Sequence, residues 1–283
     1  MPYPAPTASV DGAPHASSLV GTYERLLAYC PALRVSVTRP GGPGEGWVDG
    51  ARWVAEPALL DRFVAAETGR IAAAHGYAAR PAVAGSRALH HYLWSVFLVL
   101  SGPWYLARRV PQLRSNAVHF EMATAELAVE PSGFVCLPGD PAAGSPGVRV
   151  VADEEALRAE VRDAATRHAR PLVEGLAPRL RRSERVLWGM AGDDLVSGLW
   201  YLGRMRGEEE RSVREATALL PRPLAPFPGG ADFRRLHSAD GRTHLTRTRV
   251  GCCLYYKIRA DEACGTCPRV CDRERAVRLT APG

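Results

Sequence analysis

Thr248-Arg249-Val250-Gly251-Cys252-Cys253-Leu254-Tyr255-Tyr256-Lys257, followed six residues later by Cys264-Gly265-Thr266-Cys267-Pro268, is the stretch that gives the rest of the chain its context. Seven cysteines occur in 283 residues, and five of them, Cys252, Cys253, Cys264, Cys267 and Cys271, fall within the last thirty-two. A disulfide framework is the first explanation to test. Adjacent residues have Cα atoms about 3.8 Å apart, shorter than the roughly 4.4 to 6.8 Å that a disulfide prefers, so Cys252 and Cys253 do not pair with each other. The first twenty residues are rich in Pro, Ala and Ser and hold no apolar core of a secretory signal. A reducing cytoplasm is the expected setting, and clustered thiols there read as metal ligands.

Spacing alone leaves the metal open. Cys264-x-x-Cys267 is the half-site of structural zinc, and four thiolates also suit a [2Fe-2S] cluster. A zinc ribbon would supply a second C-x-x-C knuckle, whereas here the partner is a vicinal pair. Neighbouring side chains of an extended segment point to opposite faces, so the pair needs a local bend to serve one centre.

The whole run, C-C-x10-C-x2-C without a gap, resembles the C-terminal signature of the FhuF-type ferric-siderophore reductases. The resemblance implies a [2Fe-2S] cluster on Cys252, Cys253, Cys264 and Cys267, with Cys271 outside the motif. It also implies an oxidoreductase that passes one electron to a chelated ferric ion. That chemistry is coherent: hard oxygen donors such as hydroxamates hold Fe(III) tightly, and reduction to Fe(II) weakens those bonds.

The remaining composition excludes several alternatives. The charged fraction of 23% and the hydrophobic fraction of 46% are those of a globular protein with a substantial core, not a disordered tail. Lys257 is the sole lysine among 36 basic residues, and it follows Tyr256, so there is no Walker A loop. The glycines at 41, 42, 44 and 46 fail G-x-G-x-x-G because Trp47 stands at the third position. With no nucleotide or flavin motif, electrons are expected from another protein, such as a ferredoxin or a flavoprotein reductase. Residues 231–283 hold 11 basic and 6 acidic side chains, nearly all of the net charge of +6. Such a surface steers an acidic donor or an anionic substrate. No helix-turn-helix or aromatic-interleaved basic stripe accompanies it, so nucleic acid is not an expected partner.

In chain order, a Pro-rich segment to Ser18 precedes a helix over Leu19–Tyr29 closed by Pro31. Leu33–Val37 alternates as a strand, and Gly46–Val54 is expected to pair with it across the glycine turn. Ala58–Ala74 repeats with helical period and stops at Gly76. His91–Ala107 is the most apolar stretch, but Ser101-Gly102-Pro103 interrupts it short of a membrane span, so it reads as a buried helix and stable membrane insertion is not expected. Val118–Val135 contains strands around a turn at Glu130–Gly133. Cys30 and Cys136 read as core residues. After a loop at Pro138–Gly147, Val148–Val151 is a strand entering a helix capped by Asp153 and ending before Pro171. Ser183–Met205 is a further helix. Its Leu187-Trp188-Gly189 resembles a family segment, with Met190 where Asn is expected, and Asp193-Asp194 reads as a solvated patch. Pro221–Gly230 reads as a linker. His237 and His244 lack the spacing of a Rieske centre, and no G-x-S-x-G or H-E-x-x-H motif anchors a hydrolase.

The chain is therefore expected to be α+β, helix-rich with short antiparallel strands and a C-terminal iron-sulfur segment. Its parts are a mobile segment at 1–18, an N-terminal α+β half at 19–137, a helical half at 148–220 and a [2Fe-2S]-binding segment at 231–283. The expected function is cytoplasmic reduction of a ferric siderophore, hydroxamate-type, with no catalytic residue beyond the cluster. Arg249, Tyr255, Tyr256 and Lys257 flank the vicinal pair and offer cations and flat rings to such a chelate. An iron-sulfur electron-transfer protein of a biosynthetic pathway would share these residues, and a zinc-stabilised binding protein is the non-redox alternative.

Overall fold

The computed structural model describes residues 14–38, 42–238, 240–259 and 263–280, with side chains from Leu19 onward. Of the segment expected to be mobile, residues 1–13 lie outside the described part and the remainder is helical: α1 runs Pro14–Tyr29. Then come β1 (Val35–Val37), β2 (Trp47–Asp49), α2 (Arg52–Ala55), α3 (Ala58–His75) and α4 (Pro81–Ala107). Short strands β3 (Val110–Pro111), β4 (Val118–Glu121), β5 (Leu127–Val129), β6 (Phe134–Cys136) and β7 (Val148–Val150) lead to α5 (Glu154–Leu180), α6 (Glu184–Met205) and α7 (Glu209–Leu219). The hairpin β8 (Phe233–His237) and β9 (Thr243–Arg247) precedes the cysteines, and α8 (Asp272–Thr280) follows them. The fold is α+β and helix-rich.

Local signals explain the helix ends. Gly76 closes α3 in the left-handed conformation at φ 73°, which glycine adopts without a Cβ clash. The Asp153 carboxylate accepts the Ala156 N–H at 2.8 Å, and Glu154 and Glu155 sit in the positive first turn of α5. Two expected breaks do not occur. α4 runs through Ser101-Gly102-Pro103, and Gly102 is the point where Leu26 of α1 packs, since a Cβ there would collide with that side chain. α5 runs through Pro171 and Pro178 to Leu180. A helical proline costs about 3 kcal/mol, but burial of Leu172, Val173, Leu176 and Leu180 beyond it contributes roughly 1.5–3 kcal/mol per side chain.

The strands correct one expectation. β1 and β2 do not form a hairpin; they lie at opposite edges of a four-stranded sheet of order β1-β5-β4-β2. β1 pairs parallel to β5, and β2 antiparallel to β4. The central strands β4 and β5 carry the buried Val118, Phe120, Leu127 and Val129, so apolar burial sets the pairing and the glycine loop does not. A second sheet of order β3-β6-β7 joins β6 to β7 in parallel across the 138–147 loop. The sheets are thus mixed, not purely antiparallel.

α4 is the spine, in contact with α1, α3, α5 and α6. Beside it Trp53, Phe63, Tyr92 and Phe120 meet edge-on or tilted, with ring centroids 5.4 to 6.3 Å apart. Cys30 and Cys136 are fully buried in this core, and burial pushes the Cys30 thiol up to about 12. The 221–230 stretch is packed and not a loose linker: Phe227 is buried edge-on against Trp188 at 5.7 Å, and the Ala231 N–H donates to the Leu220 carbonyl. Among the described residues no helix is long and apolar enough to cross a membrane.

Candidate metal centre

The cysteine segment lies where the N-terminal parts of α4 and α6 meet. Gly251 approaches α6 so closely that a Cβ would collide with the backbone nitrogen of Met190. Only glycine fits there. Three residues on, Leu254 adopts φ 62°, the left-handed region, and a 3-10 turn over Tyr255–Lys257 follows. The chain thus turns directly after the vicinal pair. A non-glycine residue held there costs on the order of 1 kcal/mol or more, so the surrounding contacts must enforce it.

Those contacts are charged side chains holding backbone. Asp193 of α6 accepts the Gly251 N–H at 2.7 Å and lies 3.4 Å from the Val250 nitrogen, while its other partner is Arg247 Nη2 at 2.6 Å. Arg247 also donates to the Asp193 and Ala231 carbonyls at 3.1 and 3.2 Å. Asp193 and Arg247 are both about 1% exposed at the side chain. Arg182, just beyond α5, donates to the Cys252 carbonyl at 3.0 Å and to Ser86 Oγ at 2.5 Å. On the far side Arg275 of α8, also buried, donates to the Cys267 carbonyl at 2.8 Å. Arg234 of β8 fastens α8 through a two-pronged pair with Asp272 at 2.5 and 2.7 Å. Tyr77 reaches the Ile258 carbonyl at 2.9 Å.

Asp193-Asp194 is therefore not the solvated patch expected. Asp194 is wholly buried and meets His90 Nδ1 at 2.5 Å. Burial pushes the Asp194 carboxyl up, against the opposing pull of His90 and Arg249. Met190, where a polar residue had been expected, is buried with its sulfur 3.4 Å from Arg182 Nη1.

Cys252, Cys253, Cys264 and Cys267 line a single concavity, with Arg249, Tyr255, Tyr256 and Pro268 completing its wall. Cys253 and Cys267 are buried, Cys252 and Cys264 half-buried, and Cys271 lies exposed outside it. Cys264 hydrogen-bonds to Cys253, and that bond, helped by His90 and Arg249 against burial, holds Cys253 well below the usual thiol range. The same bond and burial drive Cys264 up. Arg249 is buried, with Nη1 3.6 Å from Cys264 Sγ and Nε 3.5 Å from Asp193 Oδ2. Burial opposes its charge, yet Asp193 and Asp194 keep it firmly cationic. The Tyr255 ring lies under Arg87 at 4.4 Å, and Tyr256 lies between Lys257 at 5.2 Å and Arg269 at 5.1 Å. Lys257 is exposed. Among the described residues no three His, Cys, Asp or Glu side chains converge on one point for a single ion.

Four thiols share one hollow whose wall includes one cation, Arg249, able to offset the negative charge that thiolates bring. Residues 249–269 match the family described as FhuF 2Fe-2S C-terminal domain. This segment is an FhuF-type [2Fe-2S] domain. The chain is accordingly an iron-sulfur, siderophore-related protein. The FhuF match ends before Cys271, in keeping with that residue's position outside the hollow. No curated protein matches the chain.

Sequence reasoning missed Asp193, Arg247, Arg182 and Arg275, which position the FhuF-type segment. Two signals were present. Asp193 and Asp194 are the only acids between Glu184 and Glu208 in a helix otherwise apolar on most of its surface, a poor place for a solvated patch. Arg247 and Arg249 stand two apart, on one face of an extended segment, directly before the cysteines.

Proposed function

We propose that the chain is a cytoplasmic ferric-siderophore reductase in which Cys252, Cys253, Cys264 and Cys267 ligate the cluster. The observation that carries this is the convergence of those four cysteines, and no others, on one hollow within the segment that matches the FhuF family. A [2Fe-2S] cluster supplies one-electron transfer at that position. The balanced change is one electron taken from a reduced protein donor, a ferredoxin or flavoprotein, and one electron gained by chelated Fe(III) to give Fe(II). Weakened bonds to oxygen donors then let the metal exchange.

The chain's own residues divide the work by exposure. Gly251, Asp193 and Arg182 fix the backbone of the vicinal pair, and Arg275 fixes that of Cys267. Half-buried Cys252 and Cys264 bring the edge of the hollow to the surface. Tyr255 and Tyr256 line the hollow, Lys257 lies beside the Tyr256 ring, and together they supply the surface for a chelate, two flat rings and an exposed cation. Arg249, in the same expected group, is buried and faces the cysteines instead.

The test is single-turnover oxidation of the dithionite-reduced protein by a panel of ferric hydroxamates, followed in the visible spectrum, with ferrous iron trapped by a chelator. One Fe(II) per cluster oxidised, with saturation in chelate concentration, is the expected result. A reduced protein that no ferric chelate oxidises, but that reduces a biosynthetic oxidoreductase, overturns the reading.

A further inference from the structure

Arg249 is an unusual buried cation. Its side chain is only 7% exposed, yet its Nε and Nη2 have no hydrogen-bond partner. A guanidinium has five N–H donors in a fixed fork, and leaving them unpaired in a protein interior is unfavourable. Arg247, two residues earlier, shows the contrast: all three of its nitrogens donate, to the Asp193 carboxylate and to two carbonyls. Asp193 holds Arg249 electrostatically but spends its hydrogen-bonding capacity on Arg247 and Gly251. The fork is thus kept charged and anchored from behind. The wall it contributes to is that of the cysteine hollow, where its remaining nitrogen lies 3.6 Å from Cys264 Sγ.

We propose that Arg249 is the potential-setting residue of this centre, its Nη1 and Nη2 N–H groups donating to sulfur of the bound cluster while Nε stays turned to Asp193. The inference rests on the four-cysteine assignment above and adds a role for a residue outside the ligand set. Reduction adds a negative charge to the centre. A fixed cation and its hydrogen bonds to sulfur therefore stabilise the reduced form more than the oxidised one and raise the reduction potential. Burial matters, because a surface cation would be screened by salt whereas a desolvated one is screened much less.

The experiment compares the midpoint potentials of the parent protein, R249M and R249K, each with iron and sulfide quantified, at low and high ionic strength. In R249M the reduced form should lose at least tenfold in relative stability, a fall of about 59 mV for a one-electron couple, and the fall should persist at high salt. R249K keeps the charge without the fork, so its potential should fall less but in the same direction. Fully loaded R249M within twofold of the parent overturns the proposal, as does a fall that vanishes at high salt. If R249M does not load, R249K decides: a lower potential at full loading supports the proposal and an unchanged one overturns it. Failure of both variants to assemble a cluster assigns Arg249 to assembly and also overturns it. A parent protein without iron and sulfide would instead defeat the ligand assignment, so the two failures are distinguishable.

Discussion

The interior around α4 and the cysteine segment at 248–280 are held together by opposite means. Around α4 the fixings are apolar: Phe97, Leu98, Leu100 and Trp104 are fully buried, and the helices close over them by shape. In the cysteine segment, Arg182, Arg247 and Arg275 reach backbone carbonyls, and Asp193 reaches backbone amides. Non-directional burial tolerates adjustment, whereas hydrogen-bonded charges constrain a backbone path in both distance and angle. A site that must present four thiols on a chain bent after Cys253 needs the second kind of fixing.

The sharpest way to break this contrast is to remove cysteines from each region in turn. Cys264→Ser or Cys267→Ser should abolish the chromophore and reduce about two iron and two sulfide per chain to near zero. Trypsin should then cut first among the arginines of the 232–280 stretch while the α4 core survives. Cys30→Ala and Cys136→Ala should keep the full iron content, because both thiols sit in the apolar core. Metal analysis with limited proteolysis checks both; iron lost from the core variants and kept in the segment variants would reverse the assignment.

Next in size are two substitutions of similar cost and different consequence. Phe97→Ala should lower unfolding stability by about 3–5 kcal/mol in urea without changing the iron-to-protein ratio. Asp193→Ala strands the buried Arg247 cation and leaves the Gly251 amide unpaired, also a loss of roughly 3–5 kcal/mol. It should in addition lower iron retention, because the path into Cys252 loosens. Equal iron retention in the two variants would erase the distinction between the regions.

The core also carries its own pH dependence. His168 is buried and donates through Nε2 to the Leu113 carbonyl at 3.1 Å. Burial lowers its pKa from 6.5 to about 4, partly opposed by that hydrogen bond. The folded state therefore resists a proton that the unfolded state accepts. Stability from this group is fully present above about pH 6.5 and is lost as pH falls toward 4, by roughly 3 kcal/mol. His168→Gln keeps a donor for Leu113 without titrating, and it should flatten the slope of urea midpoint against pH across that window.

The core was the more legible region. Helical period located α3 and α6, because a buried apolar stripe leaves a repeating pattern; apolarity located α4 from His91, and its first ten residues, Pro81–His90, carried no comparable signal. The boundaries that failed were those where packing outweighed a local signal: Gly102 as a seat for Leu26, Pro171 within a helix buried on both sides of it, and β1 drawn to β5 rather than to β2. The cysteines were legible as a motif, since ligand chemistry fixes residue type and spacing together. Their supports were not. Arg182 and Arg275 act on carbonyls of residues 70 and 8 positions away, and a contact to backbone imposes no residue type on its partner. Asp193 was misread because its buried partner, Arg247, lies 54 residues on.

The smallest expected effect concerns the rim of the hollow. Lys257 is exposed and Tyr256 is half-buried between Lys257 and Arg269. Neither supports the backbone of a cysteine through its side chain, so replacing them should leave iron content, spectrum and stability near the parent's. Their contribution is to encounter and rest a chelate, and an exposed cation or a stacking ring contributes roughly 0.5–1 kcal/mol, equivalent to a rate change of about two- to fivefold. Lys257→Ala and Tyr256→Ala should each slow ferric-hydroxamate reduction at low chelate concentration by that factor. The Lys257 effect should shrink as salt is raised, because surface charge is screened, and the Tyr256 effect should persist. A double variant whose losses multiply would mean independent contacts; a double variant no slower than either single one would mean that ring and cation act as one platform. Rates equal to the parent's in both single variants, across the whole range of chelate and salt, would move the docking surface away from this rim.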